Sequence, residues 1–515
     1  MTPEIVLDKN NRIPLHRQIY HEIQRLILSE IWRAGRRLPS TRDMAKQLQI
    51  SRATVCMAYE QLLADGYLQS FTGSGTYVSR EIHDRRFIKK QEVPTTSHPE
   101  QTSPEEMFST FGNFLTSFDN FSPHSDLTEL NMFGNPCRDS AFQAWQRVLR
   151  RRLSEVGSEN ITSEPAGLMP LRQTISEQLL RTRGVRCQAE QVIVTSSRRQ
   201  ALALIAHLHV ESGDQIVVEN PGDPSVRDLF LAHGADVTGA SVDYAGLIFD
   251  RSAQDTDVAP KIIYVRPSCQ IPTGSVMSRF CRQELVKWAV ENRTMIIEDD
   301  CGIESSLAGQ SLRSLQGIDS ANLVLYVGSF ENILSPCSRI SFIVVPPAFV
   351  RVYHKAASTA GCFISRAEQY ALVDLLTHGT LEKLARSARV ASDQKRAILT
   401  ECFRLLFGDT VQCGGSTLGA CIMIGMPHNM GESNLAELRA IPGVSVTSTT
   451  PYYQNGGAPT GQYVVNYAGA CETDLVGFLN GMNEREANAR SVETIAAVPV
   501  PVTQIGQTAI AWNAG

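Results

Sequence analysis

The sequence predicts a multidomain chain: a small helical N-terminal unit closed by a two-stranded hairpin, then a large α/β body ending in a smaller α+β part. Three observations predict it. At 515 residues, 43% of them hydrophobic, the chain is far too long for one small unit and long enough to bury a large second core. Helix caps and turn signals crowd residues 38–78, whereas further along short β-branched runs alternate with amphipathic stretches. Charge divides the same way. Residues 1–90 hold 15 Lys+Arg and 9 Asp+Glu, a net of +6, and the remainder carries −11, so a basic head sits on an acidic body.

Pro14-Leu15-His16-Arg17-Gln18-Ile19 opens a first helix over Leu15–Ser29. Ser40, three residues before Asp43, has the form of a capping box and predicts a short helix from about Thr41 to Gln49. Ser51 caps the next helix, from about Arg52 to Ala64, with Val55, Tyr59, Leu62 and Leu63 on one side and Arg52 and Thr54 in the first turn. Gly66 ends it. Tyr67 to Phe71 and Thr76 to Ser79 then alternate as strands around Thr72-Gly73-Ser74-Gly75, whose glycines permit positive φ and close approach to a phosphate. Each piece alone is an ordinary cap or turn, but this order and spacing describe a winged helix-turn-helix. Residues 10–80 closely resemble the DNA-binding domain of GntR-type bacterial regulators. The resemblance implies that double-stranded promoter DNA is met by Arg42, Ser51, Arg52, Thr54, Gly73 and Gly75.

From Glu81 to Ser125 a basic patch (Arg85, Arg86, Lys89, Lys90) gives way to Pro, Thr, Ser, Gln and Glu with little periodicity, the composition of a linker. No run approaches the ~18 apolar residues of a membrane span, and Met1 to Arg12 has no apolar signal core, so a cytoplasmic protein without membrane contact is expected. The 12 cysteines are scattered, with no Cys-x-x-Cys pair and no Cys/His clustering. That pattern favours free thiols over a disulfide framework or a metal site.

In the body, the strand candidates are Gln191–Thr195, Gln215–Glu219, Lys261–Val265, Thr294–Glu298, Asn322–Val327 and Ile340–Val345. Helical patterns cover Pro170–Arg183, Arg199–Val210, Arg279–Glu291 and Gln369–Arg404. Such alternation predicts a mostly parallel sheet with helices on both faces, in a large domain over 126–380. A smaller α+β domain over 381–484 contains strand candidates Ala420–Ile424, Val444–Thr447 and Tyr463–Tyr467, and 485–515 reads as a C-terminal tail.

The landmarks Gly134-Asn135-Pro136, Leu171-Arg172, Arg183-Gly184-Val185, Gly213-Asp214, Glu219-Asn220-Pro221, Pro267 through Gly274, Ile297-Glu298-Asp299-Asp300 and Gly328-Ser329-Phe330 … Arg339 stand in the order found in fold-type I aminotransferases. Joined to the winged helix, this order resembles the MocR subfamily of GntR regulators, over about Leu15 to Gly481. The resemblance implies an aminotransferase-like body that pairs as a homodimer and senses a metabolite, with pyridoxal phosphate as the family's cofactor.

The pocket departs from that pattern. Glu331 and Asn332 stand where the family carries Ser and the Schiff-base Lys, and no Lys occurs between Lys287 and Lys355. A carboxamide nitrogen is neither nucleophilic nor basic, so Asn332 can neither form the internal aldimine nor move its proton. Asp223 replaces the aromatic that would stack on the pyridine ring, Cys301 replaces a Tyr, and Ile271 stands where aminotransferases carry Asn. Asp299, suited to a protonated pyridine nitrogen, and Arg339, suited to the phosphate, are retained. Unit charges ~4 Å apart interact by about 4 kcal/mol at an effective dielectric near 20, so Glu331 opposes a dianionic ligand and offers Arg339 a partner. No covalent cofactor is therefore expected, and pyridoxal phosphate only as a non-covalent ligand.

The reading that follows is a DNA-binding transcriptional regulator whose aminotransferase-like body is catalytically inactive and serves as dimerisation and sensor domain, its small-molecule effector unidentified. A pyridoxal-phosphate-dependent aminotransferase carrying a DNA-binding domain is the alternative, against which the missing lysine counts. A third reading makes Cys269, Cys301 and Cys337 a thiol sensor beside the former cofactor pocket; structural free cysteines are the simpler account.

Overall fold

The computed structural model describes residues 5, 7–8, 13–29, 31–71, 74–80, 108–116, 138–155, 164–243, 246–247, 259–300, 313–408, 411–414, 420–426 and 432–496. The chain forms two compact units, 1–101 and 102–515.

In the first unit α1 (Leu15–Leu28), α2 (Thr41–Leu48) and α3 (Arg52–Ala64) precede the antiparallel pair β1 (Leu68–Phe71) and β2 (Gly75–Val78). The serine caps act as their spacing predicts: Ser40 Oγ accepts from Asp43 N (3.2 Å), and Ser51 Oγ accepts from Thr54 N (3.2 Å). Ile19, Ile23, Leu26, Val55, Tyr59, Leu62, Leu68 and Val78 close one core, so the apolar faces of α1 and α3 pack on the hairpin. Segment 35–38 lies along β2, with Leu38 N donating to Thr76 O (2.8 Å) and Val78 N to Arg36 O (2.9 Å).

Of the 81–125 segment only 108–116 are described, and they hold α4 (Thr110–Thr116), the first described element of the second unit. Then come α5 (Arg138–Glu155), α6 (Met169–Arg183), β3 (Val192–Thr195), α7 (Arg198–His209), β4 (Gln215–Asn220), α8 (Pro224–Ala232), β5 (Asp236–Asp243) and β6 (Gly246–Leu247). They are followed by β7 (Ile262–Val265), α9 (Arg279–Asn292), β8 (Met295–Asp300), β9 (Val324–Ser329), α10 (Glu331–Leu334), β10 (Ser341–Val344) and α11 (Val350–Thr359). The eight strands β3 to β10 form one sheet in the order β3-β10-β9-β8-β7-β4-β5-β6. The run from β9 to β5 is parallel, while β10 runs antiparallel between β3 and β9.

Alternate residues of each strand enter opposite layers. Val192 and Val194 join the core that holds Leu171, Ile175 and Leu372, while Ile193 joins the one that holds Leu202, Ile205 and Phe230. Burial on both faces explains why these strands read as continuous apolar runs rather than alternating ones.

The single helical pattern over Gln369–Arg404 is two helices, α12 (Arg366–Thr377) and α13 (Thr380–Phe407). Gly379 between them adopts φ +64°, a left-handed conformation that favours glycine and interrupts the periodicity. The antiparallel sheet β11 (Gln412–Gly414), β12 (Cys421–Gly425), β14 (Gln462–Asn466) and β13 (Ser445–Ser448) packs on Leu399, Phe403 and Phe407 of α13 and on α14 (Glu432–Arg439). The last helix, α15 (Glu472–Ala496), carries helical structure beyond Arg485 into the segment expected as a tail; 497–515 lie outside the described residues. No helix of the described residues is long and apolar enough to cross a membrane.

Candidate functional sites

In the first unit, Arg42 on α2 and Ser51 and Arg52 at the start of α3 are exposed, and Thr54 is half-buried behind them. Arg52 Nε lies 3.3 Å from Thr41 Oγ1, so the first turns of α2 and α3 are tied together and their guanidinium groups lie on neighbouring helix starts. Tyr59 OH donates to Pro39 O (3.1 Å), holding α3 against the segment that enters α2. Burial pushes this phenol's pKa up, so it stays a neutral donor. Gly75 has φ +118°, and a Cβ there would stand 3.1 Å from Arg37 Nε. The wing turn therefore favours glycine for its backbone, and the Arg37 guanidinium would have to give by a few tenths of an ångström to admit a Cβ. Arg37 went unnoticed in the sequence because only its pairing with Tyr77 brings it under the wing. Gly73 lies outside the described residues.

In the second unit, charged groups gather at the carboxyl ends of the parallel strands, where open α/β sheets place ligands. Asp299, near the end of β8, is fully buried and accepts from Arg198 Nε (2.6 Å) and from Tyr264 OH. Arg198 Nη2 also donates to Asp223 Oδ2 (2.8 Å) and to Tyr264 OH (2.8 Å). Asp223 Oδ1 caps α8 by accepting from Ser225 N (3.0 Å), and Arg266 Nη1 stands 3.8 Å from Oδ2, the oxygen that Arg198 also contacts. Glu219, at the end of β4, accepts from Arg266 N (3.1 Å) and Gln270 Nε2 (3.4 Å). Burial pushes its carboxyl pKa up to about 7.

Around this centre, Ile271 packs with Val464 of the smaller sheet and with Tyr452 in the turn after β13. Gly222 N donates to Tyr452 O (2.9 Å), and Gln454 N donates to Asn220 Oδ1 (3.0 Å), so the loop bearing Asp223 is braced from that side. Glu331 and Asn332 open α10 and are half-buried. Arg339 Nε lies 3.4 Å from Glu331 Oε1. Cys269 is buried and its thiol pKa is raised by that burial, Cys337 is half-buried against the core, and Cys301 lies outside the described residues. Among the described residues no group of three or more His, Cys, Asp or Glu could hold a metal ion.

The geometry thus brings Asp223 and Asp299 together around Arg198, and Glu331 together with Arg339. Arg198 and Tyr264 were missed from sequence. Arg198 reads there as the first residue of a helix, and nothing local marks a side chain that turns back into the sheet.

The other acids of the Glu298-Asp299-Asp300 run are also partnered. Asp300 takes Arg183 Nε (2.6 Å) and Tyr326 OH (2.7 Å). Glu298 accepts from Leu315 N (2.8 Å) and Gln316 N (2.9 Å), with Arg282 Nη1 at 3.8 Å. These contacts hold the strand end in place.

Residues 15–78 match the family model for bacterial regulatory proteins of the gntR family, and residues 130–453 match that for aminotransferase class I and II. The chain is 30% identical to the uncharacterized HTH-type transcriptional regulator YdeL of Bacillus subtilis, over 91% of this chain and 96% of that one. It is 32% identical to the probable rhizopine catabolism regulatory protein MocR of Rhizobium meliloti, over 78% of this chain and 80% of that one. The kynurenine aminotransferase of Pyrococcus horikoshii superposes with a TM-score of 0.61 at 21% identity, covering 75% of this chain and 98% of that one, which shows a shared fold.

Proposed function

The chain belongs to the MocR-type regulators of the GntR family, a helix-turn-helix fused to a class I/II aminotransferase-like domain, and on that premise we propose a transcription factor with a catalytically inactive body. Residues 10–80 bind double-stranded promoter DNA in the bacterial cytoplasm, with Arg42, Ser51, Arg52, Thr54, Gly73 and Gly75 at the interface and 81–125 as the tether. The large part, 126–380, and the small part, 381–484, form a homodimer scaffold that places two winged helices on repeated half-sites and presents a site to an unidentified effector.

The observation that carries the inactivity is the seat at the start of α10, where Asn332 offers no amine and Glu331 pairs with Arg339 at 3.4 Å. The residues present do not fit covalently held pyridoxal phosphate. No lysine lies between Lys287 and Lys355, the carboxylate suited to a protonated pyridine nitrogen is bonded to Arg198, and Asp223 offers no ring face. Borohydride reduction of the protein purified from cells, followed by peptide mass analysis, tests this. The expected outcome is no pyridoxyl-lysine, and a reduced adduct on any lysine overturns it in favour of the enzyme reading. Retention of the DNA fragment upstream of its own gene, measured on the same preparation, tests the regulator reading.

A further inference from the structure

We propose that Arg198 is the pocket's built-in occupant: its guanidinium fills the space between Asp299 and Asp223 that a planar cationic ligand would otherwise take. This deepens the reading of the body as an inactive aminotransferase fold and rests on it. Arg198 opens α7 directly after β3, yet its side chain is only 7% exposed and turns into the sheet's carboxyl edge. There Nε meets Asp299 at 2.6 Å, and Nη2 meets Asp223 and the Tyr264 hydroxyl, each at 2.8 Å.

Asp299 and Asp223 stand at the two seats that would border a pyridine ring at its nitrogen and at its face. A side chain hydrogen-bonded to both spans the space between those seats. Its chemistry also matches. A guanidinium is planar and cationic and donates an in-plane N–H to a carboxylate, as a protonated pyridine does. The charge inventory explains why it stays. Three buried carboxyls, Asp299, Asp223 and Glu219, face two cations, Arg198 and Arg266, and burial raises Glu219 towards its protonated form, so the cations chiefly answer Asp299 and Asp223. Withdrawing one cation leaves a buried negative charge, so the contact is hard to displace from outside. The site is therefore closed to pyridine-type ligands in the wild type. It becomes a receptor for small planar monocations, guanidinium or protonated pyridine in kind, once the Arg198 side chain is removed.

The full chain with Arg198→Ala tests this, with ethylguanidinium as probe and tetramethylammonium at equal concentration as control for charge and ionic strength. The expected result is a melting temperature several degrees below wild type, restored by at least half in a saturable way by millimolar ethylguanidinium and left unrestored by tetramethylammonium. The wild type shifts with neither. Equal melting of Arg198→Ala and wild type, or equal action of the two cations, overturns the proposal.

If Arg198→Ala does not fold, Arg198→Ala/Asp223→Asn removes one carboxylate along with one cation and leaves Asp299 and the partly protonated Glu219 with Arg266. It is expected to fold and to keep an ethylguanidinium-dependent shift through Asp299, and a folded double variant without that shift also overturns the proposal. Neither arm involves a lysine adduct or DNA, so failure here and failure of the regulator reading register in different measurements.

Discussion

Arg339 Nε lies 3.4 Å from Glu331 Oε1 across the turn between α10 and β10, which gives the guanidinium suited to a phosphate a carboxylate from its own chain. Arg339 is 46% exposed, so solvent screening holds the pair's contribution to stability below about 1 kcal/mol. Its weight falls on what else can bind. Glu331→Ala is expected to leave the melting temperature almost unchanged, and a drop of many degrees would show that the pair is structural.

Cofactor uptake separates a pocket lost by one residue from a pocket rebuilt around another charge balance. Asn332→Lys alone sets an ammonium beside Glu331; the amine pKa rises, its nucleophilic neutral form becomes scarce, and pyridoxal phosphate binds poorly. Glu331→Ser/Asn332→Lys frees Arg339. Uptake should then exceed the product of the single changes, with a coupling of about 0.5–3 kcal/mol in a double-mutant cycle read by absorbance titration. Equal affinity of Asn332→Lys and the double variant would remove Glu331 from the account.

On DNA, Arg52→Ala is expected to weaken specific binding by about 1–3 kcal/mol, and affinity should fall steeply with salt. Fluorescence anisotropy on a retained promoter fragment measures both. Full affinity in Arg42→Ala/Arg52→Ala would sink the docking of α2 and α3.

Gly75→Ala meets a φ of +118° and a guanidinium 3.1 Å from the new Cβ. Strain of about 1–3 kcal/mol is expected in the first unit, together with weaker DNA binding as the wing shifts. Unaltered melting would contradict the left-handed backbone at Gly75, and unaltered affinity would remove the wing from the DNA interface.

Two buried carboxyls set a pH dependence. Burial raises Glu219 and Glu298 from 4.5 to about 7. Below about pH 4.5 both are protonated in either state. As pH rises from there to about 7, the unfolded chain releases protons that the folded chain retains, so their contribution to stability is lost progressively. Asp374 acts in the opposite sense and in a lower window. Burial alone would raise it, but hydrogen bonds from Arg152 and Arg151 carry it below 3.8, so its contribution is lost only on acidification through that lowered value. Denaturant titrations from pH 4.5 to 7 should show a slope that Glu219→Gln and Glu298→Gln each flatten, and an unchanged slope in both variants would contradict the assignment.

The sequence by itself determined the elements whose cause is local. Ser40 and Ser51 specify helix starts through bonds three residues long, Gly75 specifies a turn, and the absence of any lysine between Lys287 and Lys355 is readable without coordinates. The carboxylate at Glu331 likewise announced a partner for Arg339, eight positions away. Tertiary structure alone decided what depends on distant partners. Arg198 finds Asp223 at 25 positions, Tyr264 at 66 and Asp299 at 101, and it is the alignment of β3, β4, β7 and β8 within one sheet that brings those ends together. The same holds for the break at Gly379, where a left-handed residue divides the single helical pattern of the sequence into two helices. Periodicity reports which face of an element is buried. It carries no information on which buried charge meets which, because that pairing follows from strand order and from the requirement that no charge be left unpaired in a dry interior.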